Sequence, residues 1–182
     1  MLNLLKTPKH SKFVIEIQKS INLRLKKGVT SEILNVNQVK DLIKEIKDPL
    51  TDDKDILINL FNNKIMPGVD STSKLKADFL YNIAKQRTYS PIISCTDSVH
   101  LLGTMQGGYN ISALINLLDS NLALYSLEAL KNNILIFDDY YNIEHKYKKG
   151  NIYAKELLES WANADWFTCK SKLPNKLTLT CF

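Results

Sequence analysis

Leu101-Leu102-Gly103-Thr104-Met105-Gln106-Gly107-Gly108-Tyr109-Asn110-Ile111 holds three of the chain's six glycines, with helical periodicity on both sides. A Gly-Gly pair allows positive φ and brings backbones close together. The stretch therefore predicts that Gly107 and Gly108 end one helix and turn the chain into the next, a corner between two packed helices. Glycine-rich turns ahead of helices also cradle phosphates. Here no strand precedes the turn, no G-x-G-x-x-G spacing is present, and no P-loop lysine and hydroxyl follow, so the corner is read as structural.

Amphipathic segments extend outward from this corner in both directions. Toward the N-terminus, Phe13, Ile17, Ile21 and Leu25 recur every four residues and predict a helix ending at Lys26-Lys27-Gly28. Asn35 or Asn37 caps a second helix, which carries Val36, Val39, Leu42, Ile43 and Ile46 and is stopped by Asp48-Pro49. Thr51-Asp52-Asp53 opens a third with Ile56, Leu57, Leu60 and Phe61 on its buried side. After the break Met66-Pro67-Gly68, Asp70 or Ser71 caps a fourth with Leu75, Phe79, Leu80 and Ile83. Beyond Tyr89-Ser90-Pro91 a fifth helix opens at Ser94 or Thr96, with Asp97 in its first turn, and runs into the corner.

On the other side, Ile111, Leu114, Leu117 and Leu118 predict a sixth helix. The apolar residues from Leu122 to Phe137 predict a long, central seventh. A more polar helix then runs from Asp138-Asp139 to Lys148-Lys149-Gly150, and Asn151 caps a last one with Tyr153, Ala154, Leu157, Leu158 and Trp161. Successive helices joined by short turns imply an all-α layer of antiparallel pairs, an α-solenoid in preference to an irregular bundle. Lys176 to Phe182 alternates with period two and reads as a β-strand without a sheet of its own. The expected division is residues 1–172 for the helical domain and residues 173–182 for a linker and the first strand of a following domain.

The totals narrow the function. The chain has 182 residues, is 45% hydrophobic and 24% charged, and can bury a real core. No apolar run approaches the roughly 20 residues of a spanning helix. Of the net charge of +5, residues 1–30 carry +6, from seven basic groups against Glu16; the rest holds 17 basic and 18 acidic groups. Only the first helix thus has excess charge to offer phosphates, and RNA binding, if any, belongs there. Cys95, Cys169 and Cys181 are odd in number and lack a C-x-x-C pair, which suggests a reducing cytoplasm and no local metal site.

Several segments together resemble the N-terminal HEAT-like domain of the bacterial aconitase B family. They are Asn37-Gln38, Pro67-Gly68-Val69-Asp70, Phe79-Leu80 with Ile83-Ala84-Lys85, Leu101 to Ile111, Phe137-Asp138, Gly150-Asn151 with Tyr153-Ala154-Lys155, and Ser160-Trp161-Ala162 with Ala164 and Trp166-Phe167. They run in order from about Gly28 to the end of the chain. The sequence departs from the family pattern at Ser112-Ala113, where the family has His-Pro, and after Gly28-Val29, where its prolines are absent.

The resemblance implies a HEAT-like α-solenoid followed by a swivel domain, whose first strand resembles Lys176 to Phe182. It implies a parent lyase that interconverts citrate and isocitrate, and 2-methylisocitrate, on a [4Fe-4S] cluster. The family's cluster ligands and substrate-binding residues lie in later domains, so none is carried onto Cys95, Cys169 or Cys181, and no catalytic, cofactor or metal residue is expected in this chain. A non-catalytic role follows, with packing near the active-site entrance and association with the remaining domains, another protein or a second copy. Candidate contacts are Gln106, Gly107, Gly108, Tyr109, Asn110, Trp161 and Trp166. The alternative is a stand-alone helical module binding protein or, through its first helix, RNA.

The other chemistry-bearing residues read as structural. His100, beside Leu101, is expected at the edge of the core. Asp138 and Asp139 diverge by about 100° on a helix and do not converge on one point. Each tryptophan can bury roughly 200 Å², worth about 5 kcal/mol, so packing has ample use for both.

Overall fold

The computed structural model describes residues 10–30, 32–133 and 139–162, and all regular structure among them is helical. The elements are α1 Lys12–Lys26, α2 Val36–Lys47, a 3-10 turn Thr51–Asp53 leading into α3 Lys54–Asn63, α4 Ser71–Ala84, α5 Cys95–Gly103, α6 Ile111–Leu117, α7 Ala123–Lys131, α8 Tyr140–Lys148 and α9 Ile152–Ala162. The expected strand Lys176 to Phe182 lies outside the described residues. The described residues gather into two compact units that divide between Ser94 and Cys95.

In the first unit the helix starts follow capping chemistry. Asn35 accepts from the Gln38 amide at 3.0 Å while Gln38 accepts from the Asn35 amide at 2.9 Å, a reciprocal box that opens α2. Asp70 caps α4 by accepting from the Ser73 amide at 2.8 Å. Partial burial pushes the Asp70 carboxyl up, but hydrogen bonds from Ser73 and Thr72 outweigh it and hold the group below its ordinary value. Val39, Leu42, Ile46, Leu57, Phe61 and Leu80 form the core where α2 packs against α3 and α4. Phe61 meets the Phe79 ring edge-on at 5.8 Å.

α1 joins this unit less fully than its periodicity predicts. Val14 and Ile17 are buried, Phe13 and Ile21 are half-buried, and Leu25 is 61% exposed. Its N-terminus is instead held through polar contacts: Asp53, fully buried, accepts from the Ser11 amide at 2.8 Å and pairs with His10 Nδ1 at 2.5 Å. Gly28, at φ +69°, provides the expected left-handed stop.

The second unit is built around α7, which packs against α5, α6 and α9. Leu114, Leu117, Leu127, Leu130, Ile143, Leu157 and Leu158 make its core. Buried Ser126 donates to the Leu114 carbonyl at 2.6 Å and ties α7 to α6. The long seventh helix is not formed: α7 stops at Lys131 with Asn132 as its cap, and Leu124 and Tyr125 face outward. The Asn132-Asn133 pair favours this break, since asparagine side chains compete with the helical ladder for backbone groups. The polar pair Asp119 and Lys146 joins the end of α6 to α8, and Lys131 bridges Glu128 at 2.9 Å and Glu156 at 2.8 Å, linking α7 to α9. Those two carboxylates, Glu156 first, hold the Lys131 ammonium above its ordinary pKa.

Candidate functional site

The corner after α5 differs from the sequence expectation in the glycines that make it. α5 ends at Gly103, before the Gly-Gly pair, and of that pair only Gly108 takes positive φ, +85°. The close approach also belongs to Gly103: a Cβ there would lie 2.8 Å from Ala129 Cβ on α7, whereas one at Gly108 would meet nothing within 4 Å. Gly103 thus lets α5 and α7 touch, and Gly108 turns the chain into α6.

Asn110 holds the turn together. It is fully buried, and its Nδ2 donates to the Leu102 carbonyl at 2.7 Å and the Met105 carbonyl at 3.2 Å, satisfying acceptors at the α5 terminus. Its Oδ1 has no hydrogen-bond partner among the described residues. Of the other candidate contact residues, Gln106 is exposed, Gly107 and Gly108 are half-buried, and Tyr109 is 38% exposed, so together they form an outward rim. Asn110 is turned into its own unit. Trp161 is buried on α9, and Trp166 lies outside the described residues.

Beside this rim lies a shallow cleft of about 320 Å³, lined by His100, Gly103, Thr104, Tyr125, Glu128, Ala129 and Asn132. His100 is exposed here, not at the core edge, because Val99 and Leu102 take the inward face of α5.

A larger polar groove, about 730 Å³, lies between α6 and α8. Its closed end is a small network. Lys146 pairs with Asp119, and Asn151 Nδ2 donates to the Leu118 carbonyl at 2.8 Å and to Asp119 at 2.7 Å. Asn151 Oδ1 meanwhile caps α9 by accepting from the Ala154 amide at 2.8 Å. On the inner side of α8, Tyr140 packs edge-on against Tyr141 at 5.6 Å. Burial, with smaller effects of Glu144 and Tyr141, pushes the Tyr140 phenol up to about 12 and keeps it neutral.

Sequence reasoning missed two polar sites. The His10 and Asp53 pair joins residues 43 apart. Lys76, only 6% exposed, donates to the Phe61 carbonyl at 2.9 Å with its ammonium 5.1 Å from the Phe61 ring centre, and burial lowers its pKa to about 8. An amphipathic count signals neither, because each depends on where a second helix terminates.

Among the described residues, no group of three or more His, Cys, Asp or Glu is placed to hold a metal ion. A [4Fe-4S] cluster takes a set of cysteine thiolates. Among the described residues Cys95 is alone of its type and half-buried at the start of α5, so the described residues do not fit a cluster.

Comparison with known proteins agrees with the resemblance in the sequence. The family model described as the Aconitate B N-terminal domain matches residues 16–167. Aconitate hydratase B of Escherichia coli (strain K12) is 41% identical over 168 residues, covering 92% of this chain and 19% of that protein. Aconitate hydratase B of Pseudomonas aeruginosa is 42% identical over 166 residues, 91% of this chain and 19% of that protein. For Helicobacter pylori (strain J99) the identity is 38% over 167 residues, 88% and 19%. The chain spans about a fifth of the length of the curated relatives it matches. With all regular structure among the described residues helical and the family's N-terminal domain matching residues 16–167, the chain belongs to the aconitate hydratase B family and corresponds to its N-terminal domain.

Proposed function

We propose that this chain is the non-catalytic helical domain of an aconitate hydratase B-type hydro-lyase acting on citrate and isocitrate, and on 2-methylisocitrate. It would form a HEAT-like solenoid, pack near the active-site entrance and mediate protein association in the cytoplasm. The [4Fe-4S] cluster would be held by the later domains of the full-length enzyme. The observation that carries this reading is the match of residues 16–167 to the family's N-terminal domain. Among the described residues no helix is long and apolar enough to cross a membrane, and a membrane is not among the proposed partners.

The test is turnover. Expressed alone and taken through iron-sulfur reconstitution, the 182-residue chain is expected to show no interconversion of citrate, cis-aconitate and isocitrate. Measurable activity would overturn the non-catalytic reading.

A second reading, a stand-alone module that binds protein or RNA, is favoured by one feature of α1. Lys12, Lys19 and Lys26 recur every seven residues along it, all exposed, and residues 1–30 hold the whole excess charge. Filter binding at rising salt distinguishes it, with affinity for RNA falling as salt rises and on changing Lys26 and Lys27. A coding frame that continues past Phe182 supports the enzyme; a stop supports the module.

A further inference from the structure

The groove between α6 and α8 has a polarity that suits one kind of occupant. Ser112 and Asn116 on α6 line one side, and Asp139, Asn142, His145 and Lys149 line the other. Asp139 precedes the first residue of α8 and Lys149 follows its last, so the acid and the cation stand about 15 Å apart at 1.5 Å per residue. Asp119 is already engaged by Lys146 and Asn151 at the closed end. Ser112, Asn116, His145 and Lys149 make no side-chain hydrogen bond or ion pair with any described residue. Asn142 Nδ2 donates to one Asp139 oxygen at 2.8 Å, and among the described residues nothing engages the amide oxygen of Asn142 or the second Asp139 oxygen.

Sites for small metabolites are mostly apolar and enclosed, and this one is open and polar. Asp119 and Asp139 are matched by Lys146 and Lys149, so the groove has no excess of positive charge to offer a phosphate backbone. A side-chain amide matches a peptide unit, offering one donor face and one acceptor face to a group with the same complement. Two such amides, Asn116 and Asn142, line the groove, and Asn142 stands on α8 between its ends of opposite charge. An extended chain advances about 3.4 Å per residue, so four or five residues cover the roughly 15 Å between the ends.

We propose that this groove holds a short extended segment of a partner protein, with a basic side chain at the Asp139 end and an acidic side chain four or five residues away at the Lys149 end. The proposal deepens the association role proposed above and rests on it. The carboxylate of the segment meets Lys149 and His145, its cation meets Asp139, and its backbone pairs with the asparagine amides. A contact of this size is weak by itself and gains occupancy when a second contact tethers the partner.

The experiment is a titration of the 15N-labelled 182-residue chain with acetylated seven-residue peptides of glycine and serine. One carries arginine at its second position and glutamate at its sixth; two others carry arginine at both or glutamate at both. The mixed peptide is expected to shift resonances of residues 112–119 and 139–151 and to bind about fivefold more tightly than either of the others, the scale of one exposed ion pair. Asp139→Lys is expected to move the preference to the double-glutamate peptide, and Lys149→Glu to the double-arginine peptide, with the helical circular dichroism of both unchanged. Equal binding of all three peptides, a preference that ignores the substitutions, shifts outside the groove, or no binding at 10 millimolar peptide would each overturn the proposal. None of those results bears on turnover, so loss of the groove proposal and loss of the domain reading are separable.

Discussion

A Cβ placed on Gly103 falls 2.8 Å from the Cβ of Ala129 and 3.4 Å from its Cα. Carbon atoms separated by less than 3 Å must move apart, and the neighbour here is a methyl group fixed to a helix backbone, with no flexible end to swing away. The crossing of α5 and α7 is therefore set by the missing methyl group at position 103.

Gly103→Ala is expected to destabilise the second unit by about 1–3 kcal/mol, the usual cost of overpacking, which exceeds the roughly 1 kcal/mol that alanine gains in helix propensity. Ala129→Gly in the same chain removes the clash and is expected to restore part of the loss. Gly68→Ala is the control, since it meets nothing within 4 Å and has no positive φ; it should be neutral or slightly stabilising. Urea unfolding of the three variants and the native chain measures the series. Equal stabilities of Gly103→Ala and Gly68→Ala would refute the packing role.

Asn110 holds two carbonyls at the end of α5, Leu102 and Met105, through one amide nitrogen. Asn110→Asp removes the donor and sets a carboxylate against those oxygens, and it should cost more than Asn110→Ala, for which about 1–3 kcal/mol is expected from the unpaired buried groups. Thermal melts of the two variants at neutral pH give the order. If aspartate proves the milder change, the donor role is wrong.

Lys76 makes stability depend on pH in a predictable direction. Its folded pKa, lowered to about 8 by burial, lies below the ordinary 10.5, so between these values the unfolded chain binds more protons and stability rises with pH. The full rise is about 3 kcal/mol at roughly 1.4 kcal/mol per pH unit. Below pH 8 the ammonium is charged in both states and the dependence from this residue vanishes. Denaturant midpoints measured from pH 7 to 9 should climb above pH 8 for the native chain and stay flat for Lys76→Met, an interval that ends before the phenol of Tyr140, ordinarily 10 and raised to about 12 in the fold, adds its opposite slope.

Gln86 follows the cap of α4 at φ 57°, the left-handed region, and is exposed. Its amide donates to the Ile83 carbonyl at 2.8 Å and that of Arg87 to Asn82 at 2.8 Å, so the conformation serves the helix end. Gln86→Gly relieves the strain of a side chain in this geometry and is expected to stabilise the protein by up to about 1 kcal/mol. Calorimetry showing a lower melting temperature would contradict that account.

The limits of sequence reading are visible in particular residues. Asn35, Asp70 and Asn151 cap helices where their spacing predicts, and Gly28 and Gly150 supply positive φ after α1 and α8. These features are decided within four residues along the chain, where side chain and backbone meet whatever the rest of the protein does. By the same logic Ile111, Leu114, Leu117 and Leu118 are buried as their period requires.

The remaining features needed the fold. Leu25 has the period of a core residue and is nevertheless exposed. The pairing of His10 with Asp53, the inward turn of Asn110 and the groove beside Asn116 and Asn142 each depend on where a second segment arrives. The glycine corner shows both kinds of information. The sequence by itself determined that Leu101 to Ile111 turns one helix into another and marks the family, because glycine frees φ locally. Only the tertiary structure decided that Gly103 sets the close packing while Gly108 makes the turn, because a steric limit between helices is a property of two surfaces in contact, and Ala129 is named nowhere in the local pattern.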